Sequence, residues 1–369
     1  MNIFSFFAGA GFLDLGFEKT EGFDVVYVSE YYKPFNYVYQ YARAIMGLSR
    51  PKYGHHIEDV TSLLCPQELT RIRHLVRESK KDSLTGFIGG PPCPDFSVAG
   101  RNRGRDGDNG KLSETYIDLI CSLKPDFFLF ENVKGLYRTA RHRAFFEEMK
   151  ARLHNSGFAL TEQLINSLEF GAAQDRDRII LIGVSNAVVK RLKLKGRNGI
   201  LADFPWEKYK KYQKEAILSL PWPDTTPYCE DGIIPHPEGI IDELTVQYWW
   251  DKNDVSNHPN ANMFFRPKAG IVRFQTKAEG DVLKKCYKRL HRFRYSPTAA
   301  YGNNEVHIHP YKPRRISVAE ALAIQSLPKD FVLPEDVTLS DAFKTVGNGV
   351  PYLVAKGIAQ SLYDYLNKQ

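Results

Sequence analysis

Cysteine is the strongest nucleophile among ordinary side chains, and Cys93 stands in an unusual setting, Gly89-Gly90-Pro91-Pro92-Cys93-Pro94-Asp95-Phe96-Ser97. Two glycines and two prolines directly after an apolar run fix a rigid turn with the thiol at its tip. A helix N-terminus or a nearby cation there would favour the thiolate. A lone cysteine is commonly a small buried hydrophobe, but so constrained a loop argues against that role. The stretch Gly100–Gly110 then carries four glycines and three arginines, Arg101, Arg103 and Arg105, the composition of a phosphate-touching lid rather than of a core element.

Further polar groups stand at the ends of apolar runs. Glu131, in Phe130-Glu131-Asn132-Val133, is placed where a neutral acid could donate to a ligand; a surface glutamate would look the same. Gln174-Asp175-Arg176-Asp177-Arg178 leads into Ile179–Ile182. Alternation sends Arg176 and Arg178 to the same side, converging on one site unless they are a solvated edge pair. The turn Phe7-Ala8-Gly9-Ala10-Gly11-Phe12 is followed by Glu30. Close glycines let a backbone approach a nucleotide-like ligand, and an acid about 20 residues on can hold ribose hydroxyls. A tight strand-to-helix turn without a ligand has the same glycines, and Asp14 stands where a dinucleotide fingerprint has its third glycine. Asp59, in Asp59-Val60-Thr61, could accept from an adenine amino group or cap a helix.

These residues need a scaffold that brings them together. Strand-like runs are Asn2–Phe7, Val25–Ser29, Gly86–Gly89, Phe127–Phe130 and Ile179–Val184, with helix-like stretches such as Ser113–Ser122 and His142–Asn155 between them. That alternation predicts an α/β fold with a parallel, doubly wound, Rossmann-like sheet, and such sheets bind ligands at the carboxyl ends of their strands. From about Asn186 the texture changes. Basic residues cluster in Lys190–Arg197 and Lys208–Lys214, aromatics and prolines become dense, and a further basic run contains Lys284, Lys285 and Arg289. The pattern predicts a first domain over 1–185, completed by 339–369, and a smaller domain over 186–338. Helical periodicity at Ser340–Phe343 and Tyr352–Leu366 predicts helices that pack back on the first domain.

Composition limits the alternatives. A hydrophobic fraction of 43% and a charged fraction of 25% are those of a globular protein. No uncharged apolar run approaches the length of about 18 residues that marks a membrane span. Met1–Phe7 reads as a core strand, not a signal peptide, because it lacks a basic start and runs into the glycine turn. Five cysteines without a C-x-x-C pair argue against a zinc site or a disulfide scaffold, so no metal is expected and a reducing cytoplasm is. A net charge of +7 permits an anionic partner without requiring one.

In order, the motifs resemble those of the cytosine-C5 DNA methyltransferase family, bacterial or phage type. They are Phe7-Ala8-Gly9-Ala10-Gly11, Pro91-Pro92-Cys93, Glu131-Asn132-Val133 and Gln174-x-Arg176-x-Arg178, then Arg315-Ile316-Ser317-x-x-Glu320-Ala321, Gln325-Ser326-Leu327-Pro328 and Gly347-Asn348-Gly349-Val350-Pro351. The resemblance runs from Phe4 to about Leu362, with about 186–295 unmatched. It implies an S-adenosylmethionine-dependent methyltransferase domain and a target-recognition region over 186–297. It implies an attack by Cys93 on C6 of a flipped cytosine in a specific duplex sequence. Glu131 would then protonate N3 and hold the N4 amino group, which asks for a raised pKa; Arg178 would contact O2 and Arg176 help place Cys93. Phe7 and Tyr31 would flank the adenine, Glu30 hold the ribose and Asp59 the adenine edge, with Ala8, Gly9, Gly11, Val60, Pro91, Asn348 and Val350 lining the cofactor site. Ser97, Arg101, Arg103, Arg105, Lys284, Lys285, Arg289 and Thr298 are the candidate DNA contacts. The implied setting is the nucleoid, as a monomer on DNA, with a cognate restriction endonuclease as a candidate partner. Ser5 stands where the family usually has Asp, Phe12 where it often has Gly, Pro94 for a frequent Gln, and Asn109 and Ala319 for Arg. A nicotinamide dehydrogenase would share the glycine turn but gives no reason for Pro91-Pro92-Cys93. A tRNA-directed relative shares the catalytic motifs but not so long an insert. A catalytically inactive DNA-binding homologue would have no need to retain Cys93, Glu131, Arg176 and Arg178.

Overall fold

The computed structural model describes residues 1–92, 108–197, 199–267, 271–299, 301 and 305–367. Its strands are β1 (Asn2–Phe6), β2 (Asp24–Ser29), β3 (His55–His56), β4 (Thr85–Gly89), β5 (Phe127–Val133), β6 (Phe158–Asn166), β7 (Gln174–Asp175), β8 (Asp177–Ser185), β9 (Gly196–Arg197), β10 (Ile200–Leu201) and β11 (Ser296–Pro297). Nine of them form one sheet in the order β3-β2-β1-β4-β5-β8-β6-β10-β9. The run β3-β2-β1-β4-β5 is parallel. β4 and the first six residues of β5 are buried throughout, as strands covered on both faces must be.

The helices are α1 (Phe12–Glu18), α2 (Lys33–Ile45), α3 (Pro66–Asp82), α4 (Asp108–Leu123), α5 (Ala140–Asn155), α6 (Asn186–Arg191), α7 (Lys214–Leu218), α8 (Val246–Lys252), α9 (Ile271–Thr276), α10 (Val318–Ile324), α11 (Leu339–Asn348) and α12 (Tyr352–Leu366). α1 starts after Gly11, whose φ of 76° belongs to the left-handed region that glycine enters without a Cβ penalty. α12 occupies the residues expected from sequence and packs on α1. Gly16 lies so close that a Cβ there would fall 2.5 Å from Cβ of Ala355. The buried face of α12, including Ile358, Leu362 and Leu366, joins the apolar layer over the sheet. At about 1.5–3 kcal/mol per large apolar side chain buried, that packing anchors the C-terminal helix firmly.

Two features depart from expectation. The sheet is not wholly parallel, because β8 runs antiparallel to both β5 and β6. The apolar run 179–184 shows a strand and not its direction. β6 has no apolar signature in the sequence because its middle, Thr161-Glu162-Gln163, is polar and half-buried.

The second departure is the boundary at 186. β10 pairs with β6 and extends the sheet. Tyr365 donates to the carbonyls of Lys195 and Ala202, the ring of Phe204 meets that of Tyr365, and Trp206 donates to Thr161. Residues up to about 206 therefore sit on the first domain. The lysines that follow are sewn to carboxylates: Lys210 to Glu169 at 3.1 Å, Lys211 to Glu243, Lys214 to Asp177 at 2.6 Å and Lys208 to Asp364 at 2.5 Å. Beyond them, Trp249, Trp250, Leu290, Ile316 and Leu322 form a core continuous with Phe12 and Leu15 of α1 and Val38 of α2. The chain returns towards β8 at β11, which pairs with β7 in a separate two-stranded sheet.

Candidate active site at the carboxyl edge of the sheet

β1 is the first strand, with β2 on one side and β4 on the other. The order of strands along the chain therefore reverses between β1 and β4, the point at which parallel sheets bind ligands above their carboxyl ends. The register aligns Phe6 with both Ser29 and Gly89, and Gly89 with Phe130. The glycine turn after β1, Glu30 after β2, Gly90-Pro91 after β4 and Glu131 near the end of β5 thus share one edge. Arg178 arrives from the opposite chain sense, since Val133 of β5 faces Arg178 at the start of the antiparallel β8. A strand beginning lies beside strand ends.

On the glycine-turn side, Glu30 accepts from the N–H of Gly9 at 2.8 Å and of Tyr32 at 2.7 Å. Burial holds its carboxyl above the usual range, opposed by those two bonds and by Lys344. Phe7 has a φ of 53°, a backbone outlier for a bulky residue, and its ring stands edge-on to Tyr116 at 5.9 Å. Gly9, at φ 58°, has nothing within 4 Å of where a Cβ would point among the described residues, so the turn has an open face towards them. Tyr31 beside it is 69% exposed. Asp59 caps a short helical turn through Oδ1 and the Thr61 N–H, so the capping role is filled while Oδ2 has no partner among the described residues. Val60, Pro91 and Val350 are buried and Asn348 is exposed. Gly349 presses on the Phe12 ring, where a Cβ would fall 2.1 Å from Cδ2, placing the Gly347-Asn348-Gly349 segment against the glycine turn.

On the other side, Glu131 and Arg178 form an ion pair with Oε1 2.7 Å from Nε. Both side chains are nearly buried, 11% and 12% exposed. Gly90 is what lets the carboxylate approach the loop, because a Cβ there would fall 2.6 Å from Oε2. Arg176 is 2% exposed and donates to the carbonyls of Ala299 and Gly347, each at 3.0 Å. These two bonds brace the return of the chain and the end of α11, while its buried Nε has no partner among the described residues. Burial, with Arg178 as the next cause, lowers its proton affinity well below the usual arginine range. The nucleophile candidate Cys93, together with Ser97, Arg101, Arg103 and Arg105, lies outside the described residues.

One DNA-contact assignment is overturned. Arg289 is 0% exposed. Its Nη1 donates to the carbonyls of His309 at 2.5 Å, Pro310 at 3.1 Å and Lys312 at 3.2 Å, and its Nη2 to Phe274. A guanidinium so enclosed holds the small lobe together and cannot reach a phosphate. Lys284 and Lys285 are exposed, with Lys285 3.3 Å from Glu305. Thr298 is exposed and donates to the Asp175 carbonyl at 2.7 Å. Sequence reading missed Arg43, which grips the carbonyls of Ala10 and Gly11 from α2. A single arginine on an amphipathic helix carries no signal of burial. Among the described residues no cluster of His, Cys, Asp and Glu could hold a metal ion, and no helix is long and apolar enough to cross a membrane.

A family model described as C-5 cytosine-specific DNA methylase matches residues 1–364. The Type II methyltransferase M.NmeDI of Neisseria meningitidis serogroup C is 54% identical over 366 residues, 99% of this chain and 84% of that protein. M.FnuDI of Fusobacterium nucleatum, also a Type II methyltransferase, is 28% identical over 376 residues, 99% and 96% of the two chains. Among solved structures, a DNA modification methyltransferase encoded within an E. coli prophage superposes with a TM-score of 0.67 at 25% identity, covering 100% of both chains. A methyltransferase of Entamoeba histolytica shares the fold, with a TM-score of 0.60 at 13% identity over 99% and 97% of the chains. An edge that gathers an acid, a guanidinium and an open glycine turn on one crevice is thereby accounted for: the chain is an enzyme of the C-5 cytosine-specific DNA methylase family, acting on DNA.

Proposed function

We propose that the protein is a Type II DNA methyltransferase that moves a methyl group from S-adenosylmethionine to C5 of a cytosine flipped out of a specific duplex sequence, through a covalent Cys93–C6 adduct. The observation that carries this reading is the shared edge: the open glycine turn and the Glu131–Arg178 pair flank the Gly90-Pro91 loop that leads to Cys93.

The donor set fits the cofactor. Glu30 would hold the ribose, Phe7 and Tyr31 would flank the adenine, and Asp59 has a free oxygen for the adenine edge. When bound, S-adenosylmethionine supplies an electrophilic methyl group. C5 of cytosine is too weak a nucleophile to take it unaided. Addition of the Cys93 thiolate to C6, with a proton passing from Glu131 to N3, converts C5 into an enamine carbon. After methylation a base removes the C5 proton, the sulfur–C6 bond breaks, and the N3 proton returns. Arg178 would hold O2 and orient Glu131, while Arg176 acts through the fold. The target atom is hidden in a stacked duplex, so the base must leave the helix, as methyltransferases generally require. We place the enzyme in the cytoplasm on the nucleoid, as a monomer on DNA, either beside a cognate endonuclease or as an orphan methyltransferase.

The test is bisulfite sequencing of DNA from cells expressing the wild type and Cys93→Ala. Wild type should mark one sequence context and Cys93→Ala none. With 5-fluorocytosine in that context the C5 proton is replaced, elimination is blocked, and a denaturant-stable protein–DNA complex should accumulate. Methylation by Cys93→Ala within tenfold of wild type would falsify the assignment.

A further inference from the structure

Behind the glycine turn lies a polar cluster that no step above uses. Asp14, in the first turn of α1, is 0% exposed. Its Oδ1 accepts from Ser5 Oγ at 2.9 Å and its Oδ2 from the Tyr39 hydroxyl at 2.9 Å. Arg43 of α2, 4% exposed, lies over the Tyr39 ring at 4.2 Å and pairs with Glu18 at 2.7 Å. From there it donates to the carbonyl of Gly11 at 2.6 Å and of Ala10 at 3.3 Å. The guanidinium thus holds two carbonyls of the turn from behind, while Gly9 keeps the other face open. Gly11 admits this grip: a Cβ there would fall 2.3 Å from the Tyr39 ring and 2.7 Å from Arg43 Nη2.

We propose that Asp14 and Arg43 are positioning residues for the cofactor, with ionised Asp14 locking the glycine turn in its binding shape and protonated Asp14 releasing it. This rests on the assignment of the turn to S-adenosylmethionine. Both carboxylate oxygens face hydroxyl donors, an arrangement that suits the acceptor-only anion. A proton on Asp14 would point at one of those donors, forcing a hydroxyl to turn and removing one of the charges that, with Glu18, attract Arg43.

The surroundings put this switch in a useful range. Burial raises the Asp14 carboxyl to about 7, with Arg43 opposing and Glu18 adding to the rise. Tyr39 on α2 and Tyr116 on α4 are held well above their usual range by burial. His55 on β3, whose ring stands 4.9 Å from that of Tyr39, is lowered to about 4, again by burial first. Asp14 therefore changes charge near neutral pH while its ring neighbours stay neutral. A buried carboxylate without such donors would be costly, and here the donors sit against the turn.

The experiment is calorimetric titration of the DNA-free protein with S-adenosylmethionine from roughly pH 6 to pH 8. Wild-type affinity should rise about tenfold over that range, the change expected of one ionisation coupled to binding by about one pKa unit. Asp14→Asn should bind more weakly at the upper end and show no pH dependence. In turnover, its loss should fall on KM for S-adenosylmethionine rather than on kcat. If Asp14→Asn does not fold, Tyr39→Phe serves. It deletes one donor to the anion without changing charge, so the midpoint should move to higher pH. A flat wild-type profile, an Asp14→Asn profile like that of wild type (the mark of Glu30 instead), or an unmoved Tyr39→Phe midpoint overturns the proposal. A wild type that binds no S-adenosylmethionine at any pH overturns the cofactor assignment itself.

Discussion

Glu131 is held from two sides, by Arg178 at 2.7 Å and by the absence of a side chain on Gly90. Glu131→Gln keeps the shape and removes the acid. Single-turnover methylation should slow by roughly 10²–10⁴-fold, the usual worth of general acid catalysis, with S-adenosylmethionine affinity unchanged; an unchanged single-turnover rate refutes the role. Gly90→Ala tests the approach itself. A Cβ placed 2.6 Å from Oε2 must displace the carboxylate, so kcat should fall while cofactor affinity holds. At Asp14 the stability sign is fixed by direction. Its pKa is raised in the folded state, so its favourable contribution is complete below the unfolded value near 4 and is lost as pH rises through about 7. The Tm of Asp14→Asn relative to wild type should therefore increase across that window. The strand-end positions of Glu30 and Glu131 were legible in the sequence because each carboxylate closes an apolar run. Arg43 and Arg289 were not, since what buries them is a set of carbonyls assembled from distant segments.

The antiparallel course of β8 decides which end of a strand serves the site. Periodicity located that strand, and only the pairing with β5 shows why Arg178 reaches Glu131. The second half of the chain was legible only as a basic, aromatic texture, and its lysines differ in setting. Those at 208–214 are paired to carboxylates, whereas Lys284 and Lys285 are exposed, Lys285 with Glu305 at 3.3 Å. Replacing Lys284 and Lys285 with Gln should weaken binding to all DNA without changing the methylated sequence. The slope of log K against log salt should flatten by up to about 0.9 for each phosphate no longer neutralised. Arg289→Ala should act differently. It strands buried carbonyls, each worth about 1–3 kcal/mol when unsatisfied, and should lower Tm before any effect on DNA is measured. Equal Tm values for the two variants would contradict this division.

At the scale of the molecule, the sequence did not show that the chain beyond 186 still adds to the sheet, because a two-residue strand such as β10 leaves no periodic signature. An exchange of residues 186–297 with those of a relative would strip β10 and Trp206 from the first domain. An exchange confined to 219–295 keeps them, and should change the methylated sequence while activity continues. A chimera that stays active on the original sequence would move recognition to the first domain. The packing of α12 on α1 has a further consequence, in time. The turn that precedes α1 is synthesised before α12, and its helix is seated by Ala355 against Gly16. Between those two residues roughly 340 others must be added, on the order of 20–70 s of synthesis at about 5–20 residues per second. Through that interval the nascent chain carries the glycine turn without the helix that seats it, and methylation is expected only once α12 has docked.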